Sequence, residues 1–307
     1  MNVLSLFDGI SCARVSLDRA GIEVNAYVSA EIDKNAIKIS EKNYPDIIRV
    51  GSVVGLEVEG QIDLLIGGSP CQDLSIAKKD RKGLEGNRSG LFWEYVRIKK
   101  ECNPKWFVLE NVASMPKVDR DIITREMGVE PVMFNASLVS AQSRKRLFWT
   151  NIPFELPVDR GILLKDILQP DGEVDERMVV KGKAYTLTAS YSKATPSPAQ
   201  VKHNIEKGQR TMVKVGEIGK GGQGGRIYST DGKSVTLSAN GGGQGAKTGL
   251  YETNDRIRKL TPIECERLQG LPDNYTEGVA TTNRYKCLGN AFNVDVVAHI
   301  LLNLHGV

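Results

Sequence analysis

Ile62-Asp63-Leu64-Leu65-Ile66-Gly67-Gly68-Ser69-Pro70-Cys71-Gln72-Asp73-Leu74-Ser75 decides the fold of this chain. The apolar residues Ile62, Leu64, Leu65 and Ile66 have the length of a buried strand, which two glycines bring to a stop. A Gly-Gly pair lets the backbone turn sharply and leaves room for a ligand to come close. Pro70 then fixes φ and stiffens the turn. Cys71 is therefore expected at the carboxyl end of a central strand, which is the edge where open α/β sheets bind ligands. An arbitrary cysteine is best read as a small buried hydrophobe. The Gly-Gly-Ser-Pro before Cys71 and the Gln after it set this one apart.

Upstream, Asn2–Phe7 is an apolar strand that runs into Asp8-Gly9-Ile10-Ser11, and Cys12–Ala20 follows with Ala13, Leu17 and Ala20 at helical spacing. Strand, glycine turn and helix open a dinucleotide-type βαβ unit, with N–H groups at the helix start. The full G-x-G-x-x-G fingerprint is missing, which argues against a nicotinamide cofactor. Val24–Ser29 is a second strand, and Glu31 after it can accept from both hydroxyls of a ribose. Glu31 and Asp33 serve equally well as caps of a helix at Lys34–Lys42. Ile47–Val50 is a third strand, with Ser52 just beyond it.

Downstream, Asp73–Gly90 is polar, basic and broken by glycines, a solvated loop by default. Its Lys78, Lys79, Arg81, Lys82 and Arg88 would suit a line of phosphates. Helical periodicity resumes over Leu91–Lys99. Lys105–Leu109 is a further strand ending in Glu110-Asn111-Val112, a carboxylate at a ligand edge. Pro131–Leu138 and Lys145–Thr150 complete the sheet. Between them, Arg144 and Arg146 face one side of an extended segment, as a functional pair or as a basic edge that discourages aggregation.

After Pro157 the character changes, and glycine rises sharply over Gly216–Gly249. Gly182–Ser190 (GKAYTLTAS) recurs as Gly232–Asn240 (GKSVTLSAN), too few copies for a solenoid. A small β-rich domain fits, with Lys220, Gln223, Arg226, Asn240, Gln244 and Lys247 as contacts to bases or phosphates, or as scaffold. Arg258–Pro272 holds a helix that starts at Pro262, and Cys287–Leu304 reads as one amphipathic helix.

At 307 residues, 40% hydrophobic and 25% charged, the chain has the composition of an ordinary globular protein with one large and one smaller domain. Apolar runs are strand-sized and the amino terminus lacks a signal-peptide pattern, so a cytoplasmic setting without a membrane is expected. Five scattered cysteines without a CxxC, and three histidines without ligand spacing, speak against a disulfide framework or a metal site. A net charge of +4 permits a nucleic-acid partner.

Several of these segments resemble the blocks of the DNA (cytosine-5)-methyltransferase family, and in the family's order. GGSPCQ is similar to the nucleophile motif, LSLFDGIS to the block that binds S-adenosylmethionine, Glu110-Asn111-Val112 to the Glu-Asn-Val block, and QSRKR to Gln-x-Arg-x-Arg. RKLTPIE resembles Arg-Leu-Thr-Pro-x-Glu, and Gly289-Asn290 heads a block that usually reads Gly-Asn-Ser-Val. Three departures stand out: Ser11 and Cys12 where glycine is common, Ser52 where an Asp usually holds adenine, and Ala291-Phe292 in place of Ser-Val.

The resemblance implies a doubly wound, mostly parallel, Rossmann-like α/β domain over residues 1–160 and a β-rich target recognition domain over 161–257. Residues 258–307 would form a linker and a helix returning to the first domain. It implies methyl transfer from S-adenosylmethionine to C5 of a flipped cytosine in double-stranded DNA, through a Cys71–C6 adduct, with Glu110, Arg144 and Arg146 completing the catalytic set. Arg144 would steady O2 of the base. The expected cofactor contacts are Phe7, Asp8, Gly9, Ile10, Ser11, Glu31, Ile32, Ser52, Pro70, Leu91, Asn290 and Ala291. A monomer is expected, with a cognate restriction endonuclease as an optional partner. Three rival readings are a tRNA cytosine-5 methyltransferase, a regulatory DNA-binding relic and a cysteine hydrolase. A relic would be expected to lose Cys71, Glu110 or Arg144, and a hydrolase needs a histidine near a strand end.

Overall fold

The computed structural model describes residues 1–70, 89–175, 178–179, 214–217, 223–239, 247–253 and 256–306. Cys71, the basic positions of the Asp73–Gly90 loop, the first repeat copy, Lys220, Asn240 and Gln244 lie outside these residues. Two compact units emerge: one of 1–134, 145–156 and 296–307, the other of 135–144 and 157–295.

The first unit is built on strands β1 (Asn2–Leu6), β2 (Ala26–Ala30), β3 (Ile48–Arg49), β4 (Leu64–Gly67), β5 (Trp106–Val112), β6 (Val132–Asn135) and β7 (Lys145–Thr150). Their order in the sheet is β3-β2-β1-β4-β5-β7-β6. β1 pairs in parallel with both β2 and β4, β4 pairs in parallel with β5, and β7 runs antiparallel to β5. The expected doubly wound, mostly parallel sheet is thus present. Burial on both faces explains why β1 and β4 read as nearly unbroken apolar runs. Leu4, Leu6, Leu65, Phe92, Tyr95, Phe107, Leu109 and Trp149 form its core.

Strand order reverses between β1 and β4, the kind of switch point that opens a ligand crevice at the carboxyl ends of the strands. Leu6 pairs with Gly67, and Gly67 with Leu109, so the ends of β1 and β4 lie beside β5, three residues before its own end. Gly67 has no space for a side chain: a Cβ would come within 2.7 Å of the Leu6 carbonyl oxygen.

Helices α1 (Cys12–Arg19), α2 (Lys34–Asn43), α3 (Phe92–Cys102) and α4 (Lys117–Met127) belong to this unit. α4 stops at Gly128 with φ +75°, where glycine carries no steric penalty. Two strand boundaries differ from the sequence reading. β5 continues through Glu110 to Val112 because β7 supplies partners, Phe148 for Glu110 and Arg146 for Val112. β6 ends at Asn135, whose side chain accepts from the Ser137 N–H and starts a 3-10 turn in place of further strand.

The second unit carries a four-stranded sheet ordered β11-β10-β9-β8, from β8 (Lys214–Glu217), β9 (Arg226–Ser229), β10 (Leu250–Thr253) and β11 (Arg256–Arg258). Its helices include α5 (Pro262–Leu268) and α6 (Thr281–Asn290). α5 begins with a capping box of Thr261 and Glu264, and Pro262 sits in its first turn, as the sequence suggests. Glu264 also takes both guanidinium nitrogens Nη1 and Nη2 of Arg258 at 2.8 Å, in full burial.

The single helix expected over Cys287–Leu304 is two: α6 ends at Asn290, Ala291 is extended, and α7 (Val294–Leu301) starts afresh. The Asn293 side chain donates to the Leu268 carbonyl and the Val294 N–H to that of Gln269, bonds that fix the break. Among the described residues, the segment Thr281–Leu304 also has the length and hydropathy of a bilayer span, unlike the strand-sized runs expected. Its apolar window is 67% buried within the protein.

Candidate active site

In the first unit the site grows from the residues that follow β1 and β2 and from the carboxyl-terminal half of β5. After β1, Phe7, Gly9 and Ser11 all have φ near +60°, an alternation that folds the chain into a tight turn before α1. Left-handed backbone costs a residue with a Cβ about 1–2 kcal/mol. Ser11 occupies a position where glycine would avoid that cost.

Asp8 lies at the centre of this turn and is buried. Its Oδ1 accepts from the hydroxyls of Ser5 and Tyr27, each at 2.6 Å, and its Oδ2 from those of Ser11 at 2.6 Å and Ser29 at 2.9 Å. The Ser11 hydroxyl also lies 2.7 Å from that of Ser40, to which Arg49 donates at 3.0 Å. Ser5 and Ser29 are register partners on β1 and β2, so the carboxylate ties two strands, a helix start and the turn together. Of these hydroxyls only that of Ser11 belongs to the expected cofactor set; Ser5, Tyr27, Ser29 and Ser40 join it through the structure. Their signal is a polar residue at an inward position of an apolar strand, as in Asn2-Val3-Leu4-Ser5-Leu6.

Glu31, beyond β2, accepts from the Gly9 N–H at 2.8 Å and from those of Ile32 at 2.7 Å and Asp33 at 2.8 Å. Asp33 caps α2 through the N–H groups of Asn35 and Ala36. The two acidic residues thus divide the roles, Asp33 as cap and Glu31 as a brace on the glycine turn. Three bonds leave the Glu31 carboxylate with acceptor capacity in reserve. Ile32 is 70% exposed beside it. Ser52 is exposed, and its hydroxyl accepts from the Val54 N–H at 3.0 Å. Ile10 and Ser11 are buried, whereas Phe7, Pro70 and Leu91 are half-buried.

A further carboxylate, that of Glu110, lies within β5, two residues before its end. Arg146 Nε lies 2.7 Å from Glu110 Oε1, and both side chains are largely buried. The next residue, Asn111, donates from Nδ2 to the Ser69 hydroxyl at 3.1 Å and the Ser69 carbonyl at 3.3 Å. Its own carbonyl oxygen Oδ1 accepts from the Val112 N–H. Asn111 thereby fastens the Ser69-Pro70 turn to the strand that holds Glu110, one residue short of Cys71. Among the described cysteines, burial pushes the Cys102 and Cys265 thiols up, and Cys12 and Cys287 are buried.

In the second unit Arg144 is almost fully buried. Its guanidinium donates to the carbonyls of Leu237 at 3.4 Å, Gly289 at 3.1 Å and Ala291 at 3.0 Å. Gln269 Nε2 donates to the Leu288 carbonyl at 2.6 Å. Asn290 and Ala291 therefore sit on a turn that Arg144 and Gln269 hold from within. Gly289 admits no side chain, since a Cβ would stand 2.4 Å from the Ala239 nitrogen.

The second repeat copy has a structural use that its sequence did not reveal. Ser234 bonds by its N–H to the Ala141 carbonyl and by its carbonyl to the Ser143 N–H, a parallel bridge to Gln142. Lys233 beside it is buried and donates to the carbonyls of Ser137 at 2.7 Å and Ser140 at 3.1 Å, with Asp159 at 3.4 Å. Burial lowers the Lys233 pKa, and Asp159 opposes the shift. Of the candidate DNA contacts in this unit, Arg226 is exposed on β9 and Lys247 is half-buried.

The family description "C-5 cytosine-specific DNA methylase" matches residues 1–305. The Type II methyltransferase M.HhaI of Haemophilus parahaemolyticus is 33% identical over 334 aligned positions, which cover 99% of this chain and 94% of that protein. The Type II methyltransferase M1.ScrFI of Lactococcus lactis is 27% identical, with 96% of this chain and 75% of that protein covered. In fold, the chain is similar to the Entamoeba histolytica methyltransferase EhMeth, with a TM-score of 0.69 at 16% identity over 100% of this chain and 98% of the other. A switch-point sheet carrying the motif turns on neighbouring strands, together with this match along nearly its whole length, places the chain in the C-5 cytosine-specific DNA methylase family.

Proposed function

We propose that the chain transfers a methyl group to C5 of a flipped cytosine in a specific double-stranded DNA sequence, with Cys71 forming a transient bond to C6. The observation that carries this reading is the Asn111–Ser69 clamp, which ties the chain two residues before Cys71 in sequence to the strand bearing the Glu110–Arg146 pair. C5 of cytosine is too weak a nucleophile to attack a methyl donor usefully. Addition of a thiolate at C6 breaks the aromaticity and makes C5 an enamine carbon. Glu110 hydrogen-bonds N3 and draws electron density from C6. Arg146, held against Glu110, is the arginine assigned to the pyrimidine O2, since Arg144 spends its donors on backbone carbonyls. Loss of the C5 proton with β-elimination then frees Cys71.

S-Adenosylmethionine supplies the methyl group when bound. The residues present fit it: Gly9 allows close approach, Glu31 retains acceptor capacity for ribose hydroxyls, and Ile32 offers an exposed apolar side chain for the adenine. A stacked duplex hides the base, so the cytosine must leave the helix at a cost of about a few kcal/mol. The basic residues of the Asp73–Gly90 loop and the glycine-rich part of the second unit are assigned to offsetting that cost.

Cys71→Ser is the direct test. It should abolish tritium release from C5-labelled cytosine in DNA and leave cofactor binding in place. Release at the wild-type rate would refute the covalent route. Parallel assays on duplex DNA and tRNA separate the proposed substrate from its rival, and bisulfite sequencing of DNA from expressing cells would read out the recognition site. A monomer in the cytoplasm, acting alone or beside a cognate restriction endonuclease in a restriction-modification pair, completes the proposal.

A further inference from the structure

We infer that Asp8 is a positioning residue that builds the cofactor turn through hydroxyl groups, doing for Ser11 what a glycine would do by conformational freedom. The inference rests on the proposed use of this turn to hold S-adenosylmethionine. Three of its five residues, Phe7, Gly9 and Ser11, have left-handed φ, and two of those carry a Cβ. Such a turn needs bonds that exist only in that conformation. The Asp8 carboxylate provides them, with four hydroxyl donors on β1, β2 and the start of α1.

Every one of the four donors is neutral, and none comes from an arginine or lysine. An ion pair would fix a charge; this arrangement fixes directions. Ser11 itself is fully buried and bonds on both sides, to Asp8 and to Ser40. Ser40 in turn accepts from Arg49 at the end of β3, so the turn is braced from the next strand outward. The Glu31 carboxylate holds the same turn from outside through the Gly9 N–H. Asp8 acts from within, both of its carboxylate oxygens being engaged by protein hydroxyls.

The discriminating experiment compares S-adenosylhomocysteine and S-adenosylmethionine binding by calorimetry, with thermal unfolding, across substitutions at both positions. Asp8→Asn should weaken both ligands about tenfold and equally, because an amide cannot accept from four hydroxyls. Adding Ser11→Gly to Asp8→Asn should recover most of that loss, since glycine adopts the left-handed conformation unaided. Ser11→Ala should bind several-fold more weakly than Ser11→Gly, since both lose the hydroxyl and only glycine adopts the left-handed conformation at no cost. If Asp8→Asn does not fold, the Ser11→Ala and Ser11→Gly pair decides the matter alone. A loss confined to the sulfonium ligand would assign Asp8 to direct charge recognition and overturn the inference, as would Ser11→Ala binding like Ser11→Gly. A wild-type protein that binds neither ligand would instead refute the cofactor reading itself.

Discussion

Arg146 Nε and Glu110 Oε1 lie 2.7 Å apart on adjacent antiparallel strands, and each side chain is largely withdrawn from water. A carboxylate held this way keeps its orientation toward the neighbouring strand ends before any substrate arrives. Arg146→Ala should lower methyl transfer by about a hundredfold or more with little change in cofactor affinity. Arg146→Lys should recover only part of it, since one ammonium cannot reproduce the planar fork. Single-turnover transfer to DNA, measured beside cofactor calorimetry, checks both outcomes.

Asn111 bonds to a carbonyl and a hydroxyl of one residue, Ser69. Asn111→Ala leaves these groups buried without that donor and should cost about 1–3 kcal/mol of stability. It should also slow transfer more than it alters DNA binding, because the Ser69-Pro70 segment that leads to Cys71 loses its tether. Urea unfolding gives the first effect, and the split between kcat and KM for DNA gives the second.

Gly289→Ala should destabilise the second unit by about 1–3 kcal/mol, because its methyl group would meet the backbone of Ser238 and Ala239. Backbone atoms cannot step aside as a side-chain tip can. Denaturant midpoints for Gly289→Ala, set beside an exposed alanine substitution such as Thr282→Ala, provide the measurement.

Lys233 predicts a pH dependence of stability. Its folded pKa is lowered by burial, against the pull of Asp159. Between that lowered value and the ordinary lysine value of about 10.4, the unfolded chain holds a proton that the folded chain has released. Stability from this residue therefore rises with pH across that window and is lowest below it. In Lys233→Met the contribution vanishes, so the difference in urea midpoints between wild type and variant should narrow or widen only within the window. A difference independent of pH would show that Lys233 titrates normally.

Much of the first unit was legible because its strands end in punctuation: Gly67-Gly68 after β4, Asp8-Gly9 after β1, Glu110-Asn111 on β5. Strand boundaries were less legible, because hydrogen bonding across the sheet sets them. β5 outlasts its apolar run only since β7 supplies partners. The break between α6 and α7 was hidden as well, for Asn293 looks like any polar residue until the Leu268 carbonyl is beside it. Among site residues, Glu31 fits a ribose acceptor or a cap by sequence, and its bond to the Gly9 N–H shows a third use. Arg144 illustrates the same limit. Sequence gives two arginines on one side of a segment, and only packing distinguishes the one beside Glu110 from the one among carbonyls.

The pairing of Leu6 with Gly67 has a consequence for how this chain can vary. The thiol-bearing loop and the loop assigned to the methyl donor hang from neighbouring strands, so their spacing is counted out in ladder rungs. One extra residue before Gly67 would shift the end of β4 against Leu6 by about 3.3 Å, several times the roughly 0.5 Å that a catalytic constellation tolerates. Length in Leu64–Gly67 should consequently be far less forgiving than side-chain identity, and a one-residue insertion there should silence the protein while the rest of the sheet still forms.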